Sequence, residues 1–187
     1  QRTLGKSGLS VSALGLGCMG MSEFYGPSDD AQSLDTLHRA LELGITFWDT
    51  ADIYGQGRNE ALIGRALNGR RDQVVLATKF VAPMSEDSNH RGSSRRWIVQ
   101  EVENSLRRLG TDYIDLYQIH RPDPTLDVEE TLSVLTDLVR EGKVRAIGSS
   151  TYPAEEIVEA QWVAERRGYE RFRFTCLFIC SRLSRLF

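Results

Sequence analysis

The chain has 187 residues, and its 26 acidic and 23 basic residues give a formal net charge of −3. A hydrophobic fraction of 41% and a charged fraction of 26% are typical of one globular domain and argue against a disordered, collagen-like or membrane-spanning chain. The small negative charge gives no general attraction for nucleic acid or anionic lipid. Three cysteines, an odd number, argue against a disulfide framework. Residues 1–5 lack an apolar leader, and we therefore expect a cytoplasmic protein.

Short strand-like apolar runs alternate along the chain with longer amphipathic stretches. The predicted strands are a glycine-punctuated region at residues 9–20 and the runs 45–50, 74–79, 113–120 and 144–148. The predicted helices span residues 30–44, 59–68, 94–109, 127–141 and 153–167. The fourth helix begins with a capping-box pattern, Asp127 followed by Glu130. Strands that alternate with such helices pair in parallel through crossovers, which indicates a (β/α) barrel or a doubly wound sheet.

The end of the chain has a different composition. Residues 172–187 contain no Asp or Glu, hold two of the three cysteines and finish with a Ser-Arg-Leu repeat. We predict a sixth strand at residues 172–180, a barrel portion at residues 1–171 and an atypical tail at residues 172–187. An unclosed sheet leaves an unpaired edge that favours self-association. The arginines near this end are interpreted as a solvated surface, because no nucleic-acid recognition module accompanies them.

Two patterns resemble nucleotide-binding motifs but lack the required context. Residues 15–20 match G-x-G-x-x-G, yet residues 24–27 (FYGP) do not continue into the helix that would meet a pyrophosphate. Residues 5–7 (GKS) resemble the end of a P-loop, but a hairpin turn between Leu4 and Leu9 is the better interpretation. Neither pattern predicts a phosphate site.

Four polar side chains follow consecutive predicted strands at their carboxyl ends. Asp49 ends the second strand region and Tyr54 lies in the loop after it, Lys79 ends the next strand, and His120 ends the one after that. The carboxyl ends of strands in a parallel barrel face the same rim, so these side chains are expected to converge on one pocket. Any one of them alone is more often a structural ion pair, a buried histidine or a rim aromatic than a catalyst.

The chemistry of these four groups is complementary. A tyrosine with a pKa of ~10 is a poor acid at neutral pH unless a nearby cation stabilises its phenolate. Lys79 provides such a cation, Asp49 would keep it charged and oriented, and His120 would align a carbonyl group. The arrangement is suited to delivering a proton to an oxygen that becomes negative, as when a carbonyl accepts hydride.

Four segments of the sequence resemble the aldo-keto reductases. Residues 47–55 (FWDTADIYG), 77–79 (ATK) and 115–121 (DLYQIHR) resemble three signatures of that family, and residues 138–148 (LVREGKVRAIG) are similar to its segment entering strand five. The resemblance extends over nearly all of residues 2–171. It implies a (β/α)8 barrel of the TIM type, here incomplete with about five to six βα units.

The resemblance also implies a function. Members of the family reduce aldehydes or ketones to alcohols with NADPH, which lies across the carboxyl rim of the barrel without a Rossmann turn. By the same resemblance Tyr54 is the general acid, Asp49 and Lys79 tune it, and His120 orients the carbonyl substrate. The cofactor contacts that it implies are Gly20, Met21, Asp49, Ser149 and Ser150, with Ser150 where the family usually has Asn. No metal is expected.

Departures from the family pattern keep two other interpretations open. A complete barrel of this type takes ~250 residues, and residues 172–187 show neither the glutamine nor the aromatic residue expected around strand six. The chain could therefore be a truncated, inactive barrel fragment, or a non-enzymatic nucleotide-sensing or partner-binding protein resembling the channel-associated β subunits. For an enzyme, the predicted apolar wall of the substrate pocket consists of Met21, Phe24, Tyr25 and Phe80.

Overall fold

The computed structural model describes residues 1–23, 26 and 28–176, so the predictions that fall on Phe24, Tyr25 and residues 177–187 lie outside the described residues. The strands are β1 (Arg2–Thr3), β2 (Ser10–Val11), β3 (Gly15–Gly17), β4 (Phe47–Asp49), β5 (Val75–Phe80), β6 (Ile114–Ile119), β7 (Val144–Ser150) and β8 (Phe172–Cys176). The α-helices are α1 (Asp30–Glu42), α2 (Arg58–Leu67), α3 (Arg95–Leu109), α4 (Val128–Arg140) and α5 (Ala154–Arg167). Two short 3-10 helices cover Met19–Met21 and Arg71–Gln73.

Six strands form one parallel sheet in the order in which they occur along the chain, from β3 to β8. A doubly wound sheet reverses its strand order at a switch point, whereas a barrel adds each new strand beside the previous one. The sequential order therefore decides between the two architectures. The described residues form six of the eight strands of a (β/α)8 barrel, with helices crossing between successive strands. The sixth strand, predicted at residues 172–180, is confirmed as β8 over residues 172–176.

Two local predictions are corrected by the structure. The region at residues 9–20 is not one strand: β2 pairs with β1 in an antiparallel hairpin, and β3 joins the main sheet. The hairpin turn between Leu4 and Leu9 is confirmed by a backbone hydrogen bond of 2.8 Å. The capping box of α4 forms only in part, because Asp127 accepts from the amide of Glu129 while the Glu130 carboxylate accepts from the amide of Arg95.

The sheet buries a different set of side chains on each face, as the alternation of residues along a strand requires. On the outer face a large cluster packs against the helices, and it includes Trp48, Tyr117 and Ile147. On the inner face a smaller cluster is covered by the hairpin; it contains Leu4, Val11, Ala77, Leu116 and Ala146. The hairpin therefore fills the amino end of the barrel interior and leaves the carboxyl end of the strands for the polar residues.

Helices α2 and α3 approach closely at a glycine. A Cβ atom on Gly64 would lie 2.6 Å from the carbonyl oxygen of Arg108, closer than any real contact. Beside this approach the guanidinium of Arg108 pairs with the buried carboxylates of Glu60, at 2.6 Å, and Glu101. Glu60 also accepts from the Thr78 hydroxyl at 2.6 Å, so this buried network attaches both helices to β5.

The described helices include none that is both long enough and apolar enough to cross a membrane.

Candidate active site

The carboxyl ends of β4, β5 and β6 bring together the four side chains singled out in the sequence. Asp49 is the last residue of β4, Lys79 is the penultimate residue of β5, and His120 directly follows β6. The register pairs Asp49 with Ala77 and Lys79 with Gln118, so these residues sit at neighbouring levels of the sheet. Tyr54 reaches the same place from the loop between β4 and α2.

Lys79 is the centre of the hydrogen-bond network at this rim. Its ammonium group donates to Oδ2 of Asp49 at 2.5 Å, to the carbonyl oxygen of Thr50 at 2.8 Å and to the hydroxyl of Tyr54 at 3.4 Å. These three acceptors use the full donor capacity of an ammonium group. The contacts therefore fix both the position of the cation and its distance from the Tyr54 oxygen.

The surroundings of Lys79 keep it positively charged although it is buried. Its side chain is 3% exposed, whereas that of Asp49 is 27% exposed. Burial alone would lower the pKa of Lys79, but the charge of Asp49 and the hydrogen bonds to Asp49 and Tyr54 outweigh burial and raise the pKa above its ordinary value. A permanent cation thus lies beside a tyrosine hydroxyl, which is the arrangement predicted from the sequence.

Tyr54 retains its proton in the resting structure. Burial raises the pKa of Tyr54 above its ordinary value, and this effect exceeds the lowering caused by Lys79. The sequence predicted the influence of the Lys79 cation on this pKa but not the larger influence of burial. The hydroxyl is therefore a neutral donor at rest, and the nearby ammonium stabilises the phenolate once the proton has left.

His120 packs against Tyr54 and is neutral. The two rings meet edge to face with centroids 5.8 Å apart. Burial, assisted by the positive charges of Lys79 and Arg121, lowers the pKa of His120 to about 4. Nδ1 of His120 is buried and has no hydrogen-bond partner among the described residues. At neutral pH the ring is an uncharged imidazole that can orient a polar group beside Tyr54.

Gln118 is a site residue that the sequence reasoning missed. Its side-chain amide donates to Oδ1 of Asp49 at 3.0 Å, so Asp49 is held by Lys79 on one oxygen and by Gln118 on the other. Its own Oε1 is buried and without a partner among the described residues. Gln118 lies on β6, two residues before His120, and this spacing alone indicates that the two side chains point to the same face of the sheet.

The two serines predicted to contact a cofactor lie on opposite faces of β7. Ser149 shares the helix-facing side with Ile147, and its hydroxyl lies 3.0 Å from that of Thr175. Ser150 is two residues beyond Gly148, which pairs with Gln118, and so belongs to the interior face. Both serines are buried. Ser150 is therefore the one on the same face as Asp49.

Gly20 and Met21 lie in the short 3-10 helix that follows β3. Gly20 is exposed and Met21 is half-buried, with its side chain against the helix-facing cluster. Residues 19–21 form this 3-10 helix directly after the G-x-G-x-x-G match, and the next helix among the described residues, α1, begins at Asp30. A Cβ atom on Gly17, which pairs with Asp49, would meet nothing within 4 Å. Open space therefore lies beside Asp49 on the interior face.

The residues at this rim fit a ligand with amide, hydroxyl and carbonyl groups. Gln118 and His120 each present a buried polar atom without a partner among the described residues. Gly17 leaves room beside Asp49, with which it pairs, and the Asp49 side chain is 27% exposed. This donor and acceptor set suits the nicotinamide end of a dinucleotide. Within the described part of the chain, no group of three or more His, Cys, Asp or Glu side chains has a metal-binding arrangement.

The prediction that Phe80 lines an apolar pocket wall is wrong. Phe80 is fully buried and stacks on Tyr117 in the helix-facing cluster, with ring centroids 4.7 Å apart. The physical reason is the period of two along a strand: Lys79 points into the barrel, so its neighbour Phe80 points out. Met21 also contacts the outer cluster.

Unusual backbone geometry is concentrated at the same rim. Among the described residues, the non-glycine positions with positive φ are Gln56 (54°), Val81 (105°) and Thr151 (57°). They follow β4, β5 and β7 respectively, at the carboxyl ends of the strands. Such conformations cost about 1–3 kcal/mol each and cluster at functional sites, where the surrounding structure holds them. The pattern supports this rim as the location of the functional site.

Comparison with known proteins identifies the family. The model of the aldo/keto reductase family matches residues 13–172. Aldo-keto reductase YhdN of Bacillus subtilis (strain 168) is 44% identical over 158 residues, which is 83% of this chain and 48% of that protein.

Two solved structures are similar in fold and sequence. The holo form of aldo-keto reductase AKR11C1 from Bacillus halodurans superimposes with a TM-score of 0.78 at 39% identity, covering 86% of this chain and 53% of that one. The thermostable aldo-keto reductase Tm1743, in complex with the inhibitor epalrestat, gives a TM-score of 0.80 at 35% identity, covering 94% and 61%. The chain thus spans about half the length of the curated relative. It belongs to the aldo/keto reductase family.

Proposed function

We propose that this protein is an NADPH-dependent carbonyl reductase that converts aldehydes or ketones to alcohols, with Tyr54 as the proton donor. The observation that carries the proposal is the contact of Lys79 with both Asp49 and Tyr54, at 2.5 and 3.4 Å, inside a buried rim. Membership of an oxidoreductase family supports the same reaction class. The roles of Asp49, Tyr54, Lys79 and His120 are our assignment.

Each side chain has one task in this proposal. When bound, NADPH supplies a hydride to the carbonyl carbon. Tyr54 donates its proton to the carbonyl oxygen as that oxygen gains electron density, and Lys79 stabilises the phenolate that remains. Asp49 holds Lys79 in position, and neutral His120 orients the carbonyl oxygen toward the Tyr54 hydroxyl. A proton delivered as the charge develops lowers the barrier in a way that binding alone does not.

The proposed cofactor contacts are Gly20, Met21, Asp49, Ser149 and Ser150. Ser150 and Asp49 are supported by the interior face that they share, and Gly20 by its exposure. Ser149 is supported less, since its hydroxyl already pairs with Thr175. NADPH is our proposal for the nicotinamide cofactor, and the cytoplasm for the location of the protein. A reducing compartment agrees with Cys18 and Cys176, which are both free thiols within the described part of the chain.

Self-association is a further part of the proposal. Among the described strands of the main sheet, β3 and β8 each pair with one neighbour only. Helix α5 exposes Val158 and Trp162, four residues apart and hence on one side of the helix. Light scattering of the purified chain over a range of concentrations measures this directly: a mass that rises with concentration supports it, and a constant monomer mass contradicts it.

The functional proposal is tested by following NADPH absorbance with a panel of aldehydes and ketones. Carbonyl-dependent oxidation of NADPH, absent without the carbonyl compound, is the expected result. A folded chain that binds NADPH but does not oxidise it, whichever carbonyl compound is added, would favour the nucleotide-sensing alternative. A folded chain that does not bind NADPH would favour the inactive-fragment alternative.

A further inference from the structure

Asn59 is a fully buried polar residue in the first turn of α2 that joins three segments of the chain. Its side-chain amide nitrogen donates to the carbonyl oxygen of Cys18 at 2.9 Å and to the hydroxyl of Ser22 at 2.8 Å. Its amide oxygen accepts from the hydroxyl of Thr50 at 2.7 Å. Both amide hydrogens and the oxygen are therefore used, each toward a different group.

Asn59 also reaches the proposed proton donor and its supporting lysine. Its backbone N–H donates to the carbonyl oxygen of Tyr54 at 3.2 Å. Thr50, whose hydroxyl is held by Asn59, is the residue whose carbonyl oxygen accepts from Lys79 at 2.8 Å. One side chain thus lies between the residue 18–23 segment, the end of β4 and the loop that carries Tyr54.

The residue 18–23 segment packs directly on the Tyr54 loop. The Glu23 carboxylate accepts from the backbone N–H of Gly55 at 2.5 Å. Gly55 has a φ of +58°, and a Cβ atom there would lie 3.2 Å from Cβ of Ser22, so a larger residue would be strained by its backbone conformation and would require Ser22 to shift. The two segments are in close contact, and Asn59 supplies the buried hydrogen bonds between them.

We propose that Asn59 is a positioning residue that fastens the residue 18–23 segment to the Tyr54 loop, so that cofactor contact with the segment orders the proton donor. This inference rests on the proposed function, because the segment contains Gly20 and Met21, two of the proposed cofactor contacts. Asn59 need not touch cofactor or substrate. It acts through Thr50, Ser22 and the Tyr54 backbone.

The chemistry of the position requires an amide. An apolar replacement would leave the Cys18 carbonyl and the Thr50 hydroxyl buried without partners, which is costly. An ionised aspartate at this position would still accept from Thr50 but could not donate to Cys18 or Ser22. The substitution Asn59→Asp therefore removes the hydrogen bond to the Cys18 carbonyl oxygen and places an acceptor against that oxygen. This weakens the attachment of the residue 18–23 segment even where the Ser22 hydroxyl donates to the carboxylate, while the contact with β4 is preserved. Ser22→Ala removes one of these hydrogen bonds at a half-buried position and carries little risk of unfolding.

The test is hydrogen exchange of the backbone amides, with and without NADPH, in the wild type, Asn59→Asp and Ser22→Ala. Asn68→Asp is the matched control, since Asn68 caps the other end of α2 and is exposed. Without cofactor, Asn59→Asp is expected to increase exchange about tenfold or more at both residues 21–23 and residues 54–57, with β6 unchanged. Ser22→Ala is expected to produce a smaller change at the same two places.

Exchange measured in the presence of NADPH distinguishes a positioning role of Asn59 from a purely structural one. In the wild type, NADPH is expected to slow exchange at residues 54–57, and in Asn59→Asp this protection is lost while NADPH still binds. Faster exchange in only one of the two segments, or protection of residues 54–57 that persists in Asn59→Asp, would overturn the inference. If Asn59→Asp does not fold, Ser22→Ala decides: faster exchange in only one of the two segments, or NADPH protection of residues 54–57 equal to that of the wild type, would overturn the inference. Failure of the wild type to bind NADPH would overturn the proposed function and the cofactor coupling that rests on it. The exchange measured without cofactor would still show whether Asn59 fastens the two segments.

Discussion

Nζ of Lys79 lies 2.5 Å from Oδ2 of Asp49, and the two partners are buried to different degrees, with side-chain exposures of 3% and 27%. Removal of the partly exposed partner leaves an uncompensated cation inside the protein. Removal of the buried partner leaves a carboxylate that water reaches and that Gln118 still contacts. The pair therefore responds unequally to its two single substitutions.

We expect Asp49→Asn to destabilise the fold by about 3 kcal/mol or more, because a buried charge without its partner is strongly unfavourable. Lys79→Met is expected to cost about 1 kcal/mol, close to the size of an ordinary substitution. Urea unfolding of both variants and of the double variant measures the difference, and the double variant should resemble Lys79→Met. Equal costs for the two single substitutions would contradict this account of the pair.

Tyr54→Phe preserves the shape of the ring and removes the transferable proton. The rate of hydride transfer to a test aldehyde should fall by ~10² or more, while the dissociation constant for NADPH barely changes. Tyr169→Phe serves as the control, because Tyr169 lies between α5 and β8, at the opposite end of the strands. Turnover by Tyr54→Phe at the wild-type rate would refute the assignment of the proton donor.

The depressed pKa of His120 makes stability depend on pH. The folded value of about 4 lies below the unfolded value of about 6.5, so the unfolded chain binds more protons between these pH values. The contribution of His120 is complete above pH ~6.5 and is lost as the pH falls toward 4. From pH 7 to pH 5, the wild type should lose about 1–2 kcal/mol more than His120→Asn. Parallel pH dependence of the two proteins in urea unfolding would be the contrary result.

The buried Arg108 network predicts a strong effect away from the active site. Arg108→Met leaves the carboxylates of Glu60 and Glu101 buried without their cation, and we expect a cost of about 3–5 kcal/mol. Arg107, its exposed neighbour on α3, is the matched control, and Arg107→Met should change stability by less than about 0.5 kcal/mol. The midpoints of urea denaturation compare the two variants; similar midpoints would mean that the network contributes little.

Much of this fold could be predicted from the sequence because its signals are local and repeated. The alternation of apolar runs and amphipathic stretches located β4 to β8 and the five α-helices to within a few residues, whereas β3 is a short part of the region predicted at residues 9–20. Strand ends such as Asp49, Lys79 and His120 could be placed together because parallel strands share a rim. The alternating pattern alone agrees with both a barrel and a doubly wound sheet; the resemblance to the aldo-keto reductases selected the barrel, and the strand order confirms it.

The errors have different physical origins. The period of two along a strand explains the outward orientation of Phe80 and the opposite orientations of Ser149 and Ser150, so these could have been predicted from the sequence. The position of Gln118 on the interior face could likewise have been predicted from its spacing to His120. The roles of Asn59 and of the Thr50 carbonyl oxygen depend on how loops fold against each other, which residue types do not reveal. The dominance of burial over Lys79 in the pKa of Tyr54 likewise requires the packed structure.

The most direct test of the central claim is a titration of the purified chain with NADPH, followed by its tryptophan fluorescence. Trp48 is fully buried and directly precedes Asp49, so a nicotinamide at the proposed site lies close to an intrinsic probe. We expect saturable quenching, which the carbonyl substrate panel can then extend to turnover. A folded chain whose fluorescence shows no saturable response to NADPH would contradict the claim that this rim holds a nicotinamide cofactor.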